Sequence, residues 1–472
     1  MTRFAKRIRS VLCVSAVVAT TASVAARHPS LLIVAPHDFA SALAPFVEFK
    51  QDRLGAELVS LESVLAATGE NSFDDAERLK RYLYDRWRES DGVLRFVLLV
   101  GDADVLPVRY MTLDRVTEPA FHYAFYPSDL YYADLAKPDG AFEDWNARRD
   151  DFHAAYFGEV RGEHFKADPI NFDAVDYRPE VAVGRWPVSA AEDAARVAAK
   201  SMVYERGVEA GEAPTLGRAV FLATDGWIEN RPLLDRQIEH LSAGWSVERR
   251  YFRDDARDDG TPPASVDEVV RLFNAGVGLV VHSGHGSDDL WDQSLASTDL
   301  ATLENADRLP VVVSAGCSTA RFATLPPYEG YVDIHGVSHA GTNHGEVFDA
   351  PPPPPACYQS GAHNPTGLGE RLVRDAMTGA VAYIGCNTGS QPCGMTLVEG
   401  FVAAIDDGDS PRLGECWSRA VANYYDAERL AELEPTESWY PASIFFQGMK
   451  FMLFGDPSLP MPRPIDGNKP PV

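Results

Sequence analysis

VGLVVHSGHGSDDLW (residues 277–291) and PVVVSAGCSTARF (residues 310–322) decide the fold. Val277–Val281 and Val311–Val313 are apolar almost without a break, the pattern of strands buried on both faces of a parallel sheet. Each run ends in small residues and then delivers one reactive side chain, His285 after Ser-Gly and Cys317 after Ala-Gly. In an open α/β sheet, sites form at the carboxyl ends of neighbouring strands, so an imidazole and a thiol are expected to meet there. A thiol beside a histidine is an activated nucleophile, because the thiolate attacks and a nearby imidazolium stabilises it. Gly286 lets the backbone after the histidine come close to a bound group.

Working outward, Ala219–Asp225 is another apolar run, and its acid falls at a carboxyl end where it would orient His285 through the second ring nitrogen. Ser265-Val-Asp-Glu268 is a capping pattern for a helix leading into the His285 strand, and Ala380–Cys386 is a further buried strand with a glycine-rich exit. Phe451–Leu459 closes the fold. Toward the N-terminus, strands at 30–35, 96–103 and 181–187 alternate with helices at 38–49, 73–89 and 189–206, the last opened by the capping box Ser189-Ala-Ala-Glu192. That rhythm means parallel βαβ units, hence an α/β protein of two subdomains, 27–210 and 211–465, with a linker around 207–215 and a tail at 466–472.

Residues 1–26 carry Arg3, Lys6, Arg7 and Arg9, then an apolar run, then Ser-Val-Ala-Ala, the pattern of a secretory signal. The run is too short for a membrane span, and no lipid anchor is expected. A secreted or periplasmic location follows. The net charge of −26 excludes nucleic acid and anionic membrane as partners. Beyond Cys13, five cysteines remain; in an exported protein, an odd count suggests one free thiol, the other four able to form two disulfides, Cys386–Cys393 and Cys357–Cys416, set against several reduced, buried thiols.

The acidic stretch 126–180 loses the apolar period. Asp129 and Asp134, with Asp139, Glu143, Asp144 and Glu159, offer hard oxygen ligands for a structural calcium ion, set against a solvated acidic loop; no other cofactor is required. His335, His339, His344 and Glu346 form a second candidate set, for zinc, set against solvated turn residues. His282 points to the opposite strand face from His285's neighbours and reads as a satisfied core histidine.

Residues 279–291 and 311–317 together resemble the paired catalytic strands of the gingipain family of cysteine peptidases, which share a caspase-like fold. The resemblance continues in order through Leu98–Pro107, Ser128–Asp134, Val183–Val188 and Phe454–Ser458, covering roughly residues 30 to 460. It implies that Cys317 is the nucleophile of a cysteine endopeptidase and His285 the general acid/base. The N–H groups of Gly286 and Cys317 would form the oxyanion hole, and Asp225 would be the acid near the histidine. It also implies that the 385–396 loop lines the pocket for the residue before the scissile bond, with Asn387, Thr388, Gln391, Met395 and, from another segment, Glu229 as candidates. The substrate is then a protein or peptide, and the chain a monomer. Two departures stand out. The pocket loop has no aromatic, where the family places one over the substrate side chain. The acid that selects arginine has no secure match, with Glu229 and Asn230 near its place. A transpeptidase or signal-processing enzyme of the same fold, or an inactive scaffold, are the alternatives.

Overall fold

The computed structural model describes residues 28–69, 72–112, 125–145, 170–171, 174–252, 262–348, 352–359, 367–408, 411–436 and 440–464. The 1–26 signal and the 466–472 tail lie outside them, as does Glu159.

The strands are β1 (Leu31–Ala35), β2 (Ala56–Ser60), β3 (Phe96–Val100), β4 (Ala182–Trp186), β5 (Arg218–Ala223), β6 (Ser246–Tyr251), β7 (Leu279–Ser283), β8 (Val311–Ser314), β9 (Ala382–Cys386) and β10 (Phe451–Phe454). All ten join one sheet in the order β2-β1-β3-β4-β10-β9-β8-β7-β5-β6. The two α/β halves therefore share a continuous sheet. Pairing is parallel everywhere except between β9 and β10. The last strand thus runs with the N-terminal strands, and the halves meet at that one antiparallel pair. Carboxyl ends of β9, β8, β7 and β5 consequently crowd a single edge.

Near-continuous apolar strands are explained by two cores, one on each face. Leu279, Val281, Val311 and Val313 belong to the core shared with the helices Asp75–Glu89, Gly394–Ile405 and Leu413–Ala427. Val280 and Val312 face the opposite core, shared with Leu43 and Phe46 of Ala40–Leu54 and Leu272 and Phe273 of Val266–Ala275. Each such side chain, fully buried, contributes about 1.5–3 kcal/mol. The charged edge strand β6 (SVERRY) carries no apolar run, and Glu248, Arg249 and Arg250 guard it against edge pairing.

Three expectations fail, the first at Ser265, which stands at the N-cap of Val266–Ala275 but makes no side-chain cap hydrogen bond. The Ser189 hydroxyl donates to Asp104 (2.8 Å) instead of capping the following helix, which begins at Ala191 without a side-chain cap. Among the described residues no disulfide forms: Cys317, Cys357, Cys386, Cys393 and Cys416 are all free thiols. Cys386 and Cys416 are buried on the strand and helix that build the core, where they behave as small apolar residues.

Candidate active site

Register brings the reactive groups together. Leu222 pairs with His282, His282 with Ser314, and Ser314 with Gly385, across β5, β7, β8 and β9. Three positions beyond each lie Asp225, His285, Cys317 and Thr388. His285 and Cys317 thus leave adjacent parallel strands at the same level, with the strands about 4.8 Å apart. Both border one open cavity of about 310 Å³.

The turns that carry them are tightly fitted. A Cβ on Gly284, where φ is +149°, would lie 1.9 Å from Thr224 Oγ1, so only glycine lets β7 turn against the β5 exit. His285 N–H then donates to the Asp225 carbonyl at 2.7 Å, and Asp292 N–H to the His285 carbonyl at 3.0 Å. Beyond β8, Gly316 N–H donates to Ser314 Oγ (3.1 Å), and Ser318 takes a left-handed φ of +58°. That conformation costs a non-glycine residue on the order of 1 kcal/mol. It is held by Ser318 N–H to the Thr388 carbonyl (2.7 Å) and Ala320 N–H to the Cys386 carbonyl (3.0 Å). The N–H groups of Gly286 and Cys317 donate to no other residue among the described residues. They remain available for an anion.

Ser390 N–H donates to Cys317 Sγ at 3.3 Å. Burial nevertheless pushes the Cys317 thiol above its ordinary value, with the Ser390 amide and the Lys450 charge partly opposing it. His285 leaves the adjacent strand at the same register and borders the same cavity.

His282 is a supporting residue. Its ring stacks on Trp291 (centroids 4.5 Å apart, 10° between planes) and hydrogen-bonds Ser314 Oγ (2.9 Å) and Thr224 Oγ1 (3.2 Å). Burial lowers its pKa to about 3, so it stays neutral while tying together three of the strands that hold the site.

The cavity has two walls. One is Gly226, Trp227, Ile228 and Asn230 from the β5 exit; the other is the 389–392 segment with Met395. Gln391 and Met395 therefore sit where the sequence placed them. Asn387 and Thr388 do not line it: Asn387 Nδ2 donates to the Pro127 carbonyl (2.7 Å), and Thr388 serves the Ser318 turn through its carbonyl. Glu229 is also absent from the lining. Its carboxylate grips Arg231 through Nε (2.7 Å) and Nη2 (2.5 Å). The Asp225 carboxylate likewise makes no hydrogen bond to the imidazole. It is exposed and accepts Gly226 N–H at 2.8 Å, so Asp225 meets His285 through backbone alone.

Sequence reasoning missed Trp227. Its ring is 85% exposed and stands edge-on to His285, with centroids 6.1 Å apart. It gives the cavity an aromatic on the wall facing the 385–396 loop. The signal was present, since Trp227 follows Asp225 by two positions, but a tryptophan in a turn carries no mark of which way its ring faces.

Among the candidate metal ligands, Asp129, Asp134 and His339 have protein partners. Both Asp129 oxygens accept from Arg185 Nε and Nη2 (2.7 Å each), and Arg185 also bonds the Gly101 carbonyl. Asp134 accepts from Trp145 Nε1 (3.1 Å), and burial raises its pKa against the opposing charge of Lys80. The two carboxylates thus serve separate internal networks. His339 bonds Glu346 (2.8 Å) and Asp333 (3.1 Å) with its two nitrogens, while His335 and His344 are exposed. Among the described residues, no group of three or more His, Cys, Asp or Glu is placed to hold a metal ion.

Sheet and site together define an α/β protein with a cysteine–histidine pair at the carboxyl edge. The family model for peptidase family C25 matches residues 24–462, and the chain belongs to that family. Gingipain R2 of Porphyromonas gingivalis (strain W83) is 22% identical over 300 residues, 62% of this chain and 32% of that protein. Lys-gingipain of P. gingivalis is 27% identical over 180 residues, 37% of this chain and 10% of that protein. The chain thus spans about a third or less of the length of these relatives. The crystal structure of the Arg-specific cysteine proteinase gingipain R superposes with a TM-score of 0.58 at 17% identity, over 92% of this chain and 78% of the other. The fold is therefore the caspase-like one expected from the sequence.

Proposed function

We propose that this chain is a cysteine endopeptidase. The observation that carries the reading is the register: His285 and Cys317 reach one cavity from adjacent strands, with two amides free to bind an oxyanion. His285 takes the Cys317 proton as Sγ attacks the scissile carbonyl, and the resulting oxyanion sits on the Gly286 and Cys317 N–H groups. The imidazolium passes that proton to the leaving amine, giving a thioester on Cys317. His285 then removes a proton from water, hydroxide adds to the thioester, and the carboxylic acid departs as the thiol is restored.

Membership of the C25 family and the gingipain-like fold support this reading. The substrate is a peptide or protein, and the N-terminal signal pattern supports export. Among the described residues, no helix is long and apolar enough to cross a membrane. The test is cleavage of a mixed peptide library by wild type and by Cys317→Ala, with each cut mapped by mass spectrometry. Cuts that vanish in the variant are expected. Cuts that persist, or none in either protein, would sink the proposal.

A further inference from the structure

The wall residues also bear on which peptide bond is cut, an inference that rests on the peptidase reading. A side chain preceding the scissile bond would enter the cavity beside Cys317. Among the described residues lining that cavity, none bears a carboxylate, a guanidinium or an ammonium group; His285 and Cys317 are the titratable ones. The nearest acid in sequence, Glu229, has its oxygens on Arg231, and Arg231 N–H also donates to it at 3.1 Å.

Neutral polar groups and apolar surface take the place of charge. Asn230, 1% exposed, donates its amide nitrogen to the Thr224 carbonyl (3.0 Å) and the Ser283 carbonyl (2.8 Å). Two carbonyl partners fix the orientation of that amide, so its second polar atom is the oxygen, which has no hydrogen-bond partner. The Ser283 hydroxyl donates to Met395 Sδ at 3.2 Å, and Ser390 Oγ is also unpartnered. Ile228, Ala315, Pro392 and Met395 complete the lining with apolar surface, and Trp227 overhangs its mouth. A guanidinium or ammonium placed here would exchange water for single neutral acceptors. Removing an unpaired charge from water is strongly unfavourable, whereas a neutral side chain meets apolar surface and amide or hydroxyl groups.

We infer that the cavity selects an uncharged residue, apolar or carboxamide-bearing, immediately before the scissile bond. It thereby differs from the proteinase described as Arg-specific whose fold it shares.

The experiment is kcat/KM for one peptide series varied only at that residue, assayed with wild type and Cys317→Ala. Cys317-dependent cleavage after Leu, Met or Gln should exceed that after Arg, Lys, Asp or Glu by about 100-fold, or 2.7 kcal/mol at about 1.36 kcal/mol per decade. Comparable or faster Cys317-dependent cleavage after Arg or Lys overturns the inference while leaving the peptidase reading intact. No Cys317-dependent cleavage after any residue overturns both. Ile228→Asp provides a second readout on a partly exposed wall position, 37% exposed and so tolerant of charge. It should raise cleavage after Arg at least tenfold; no gain would show that this cavity does not receive that side chain.

Discussion

Replacing Gly286 by alanine tests the oxyanion geometry in detail. A Cβ on Gly286 would lie 2.7 Å from Thr319 Cγ2, 3.2 Å from the Cys317 carbonyl and 3.3 Å from the Leu290 carbonyl. Carbon atoms pack at about 3.5–4.0 Å, so the Gly286 segment must retreat from Thr319 by about 1 Å. A misplacement of about 1 Å costs on the order of 10²-fold in rate, and loss of one oxyanion donor costs about 10²–10³-fold. Gly286→Ala should therefore lower kcat by about 10²–10³-fold on any peptide the wild type cuts, with little change in KM. Thr319→Ser removes the offending methyl but keeps the hydroxyl that donates to the Gly316 carbonyl (3.1 Å) and Ser314 Oγ (3.3 Å). Because the two carbonyl contacts remain, the double variant should recover about tenfold, a coupling near 1.4 kcal/mol. The assay is steady-state kinetics on the four members of the cycle, with urea midpoints to confirm folding. A Gly286→Ala protein within threefold of wild type would show that this amide does not bind the oxyanion. Equal loss in single and double variants would show that the contact with Thr319 is not the cause.

Three further outcomes follow from the geometry. Asp225→Asn should change kcat/KM by less than about threefold, because its carboxylate bonds Gly226 N–H rather than the imidazole; a drop of several orders of magnitude, as for an acid that orients a catalytic histidine, would contradict this. Cys317 alkylation in substrate-free enzyme should keep accelerating above pH 9, since burial favours the neutral thiol and the reactive thiolate appears only as pH passes the raised pKa. A rate already at plateau near neutral pH would mean a resting thiolate. Asp129→Asn should destabilise the protein by about 3–5 kcal/mol in urea unfolding, because it leaves the fully buried Arg185 guanidinium without its charge partner; a loss under 1 kcal/mol would show that the pair is not structural.

The strands and the reactive pair were legible in the sequence because burial on both faces writes an unbroken apolar run, and because His285 and Cys317 each follow one directly. What was not legible depended on neighbours distant in sequence. The edge strand β6 shows only SVERRY, and the helix Leu413–Ala427 carried no cap signal strong enough to announce it. The polar candidates went astray for a related reason. Glu229, Asp129 and Asp225 look alike as isolated acids, and their roles were set by Arg231, Arg185 and the Gly226 amide. Of those partners, only the Arg231 and Gly226 groups lie nearby in sequence, and neither residue type signals an ion pair or turn by itself. Trp227 was hidden because the sequence of a turn does not show which way an exposed ring faces, here edge-on to His285. Free cysteines contradict the parity argument because burial, not cross-linking, accounts for Cys386 and Cys416.

The central claim, that Cys317 is a nucleophile served by His285, is tested most directly by covalent trapping. Wild type and His285→Ala would be treated with a peptidyl acyloxymethyl ketone bearing a neutral residue before the warhead, then read by intact mass and peptide mapping. A single adduct on Cys317, with Cys357, Cys386, Cys393 and Cys416 unmodified, and a rate at least about 100-fold lower in His285→Ala is predicted. Label spread over other thiols, or equal rates in the two proteins, would contradict it.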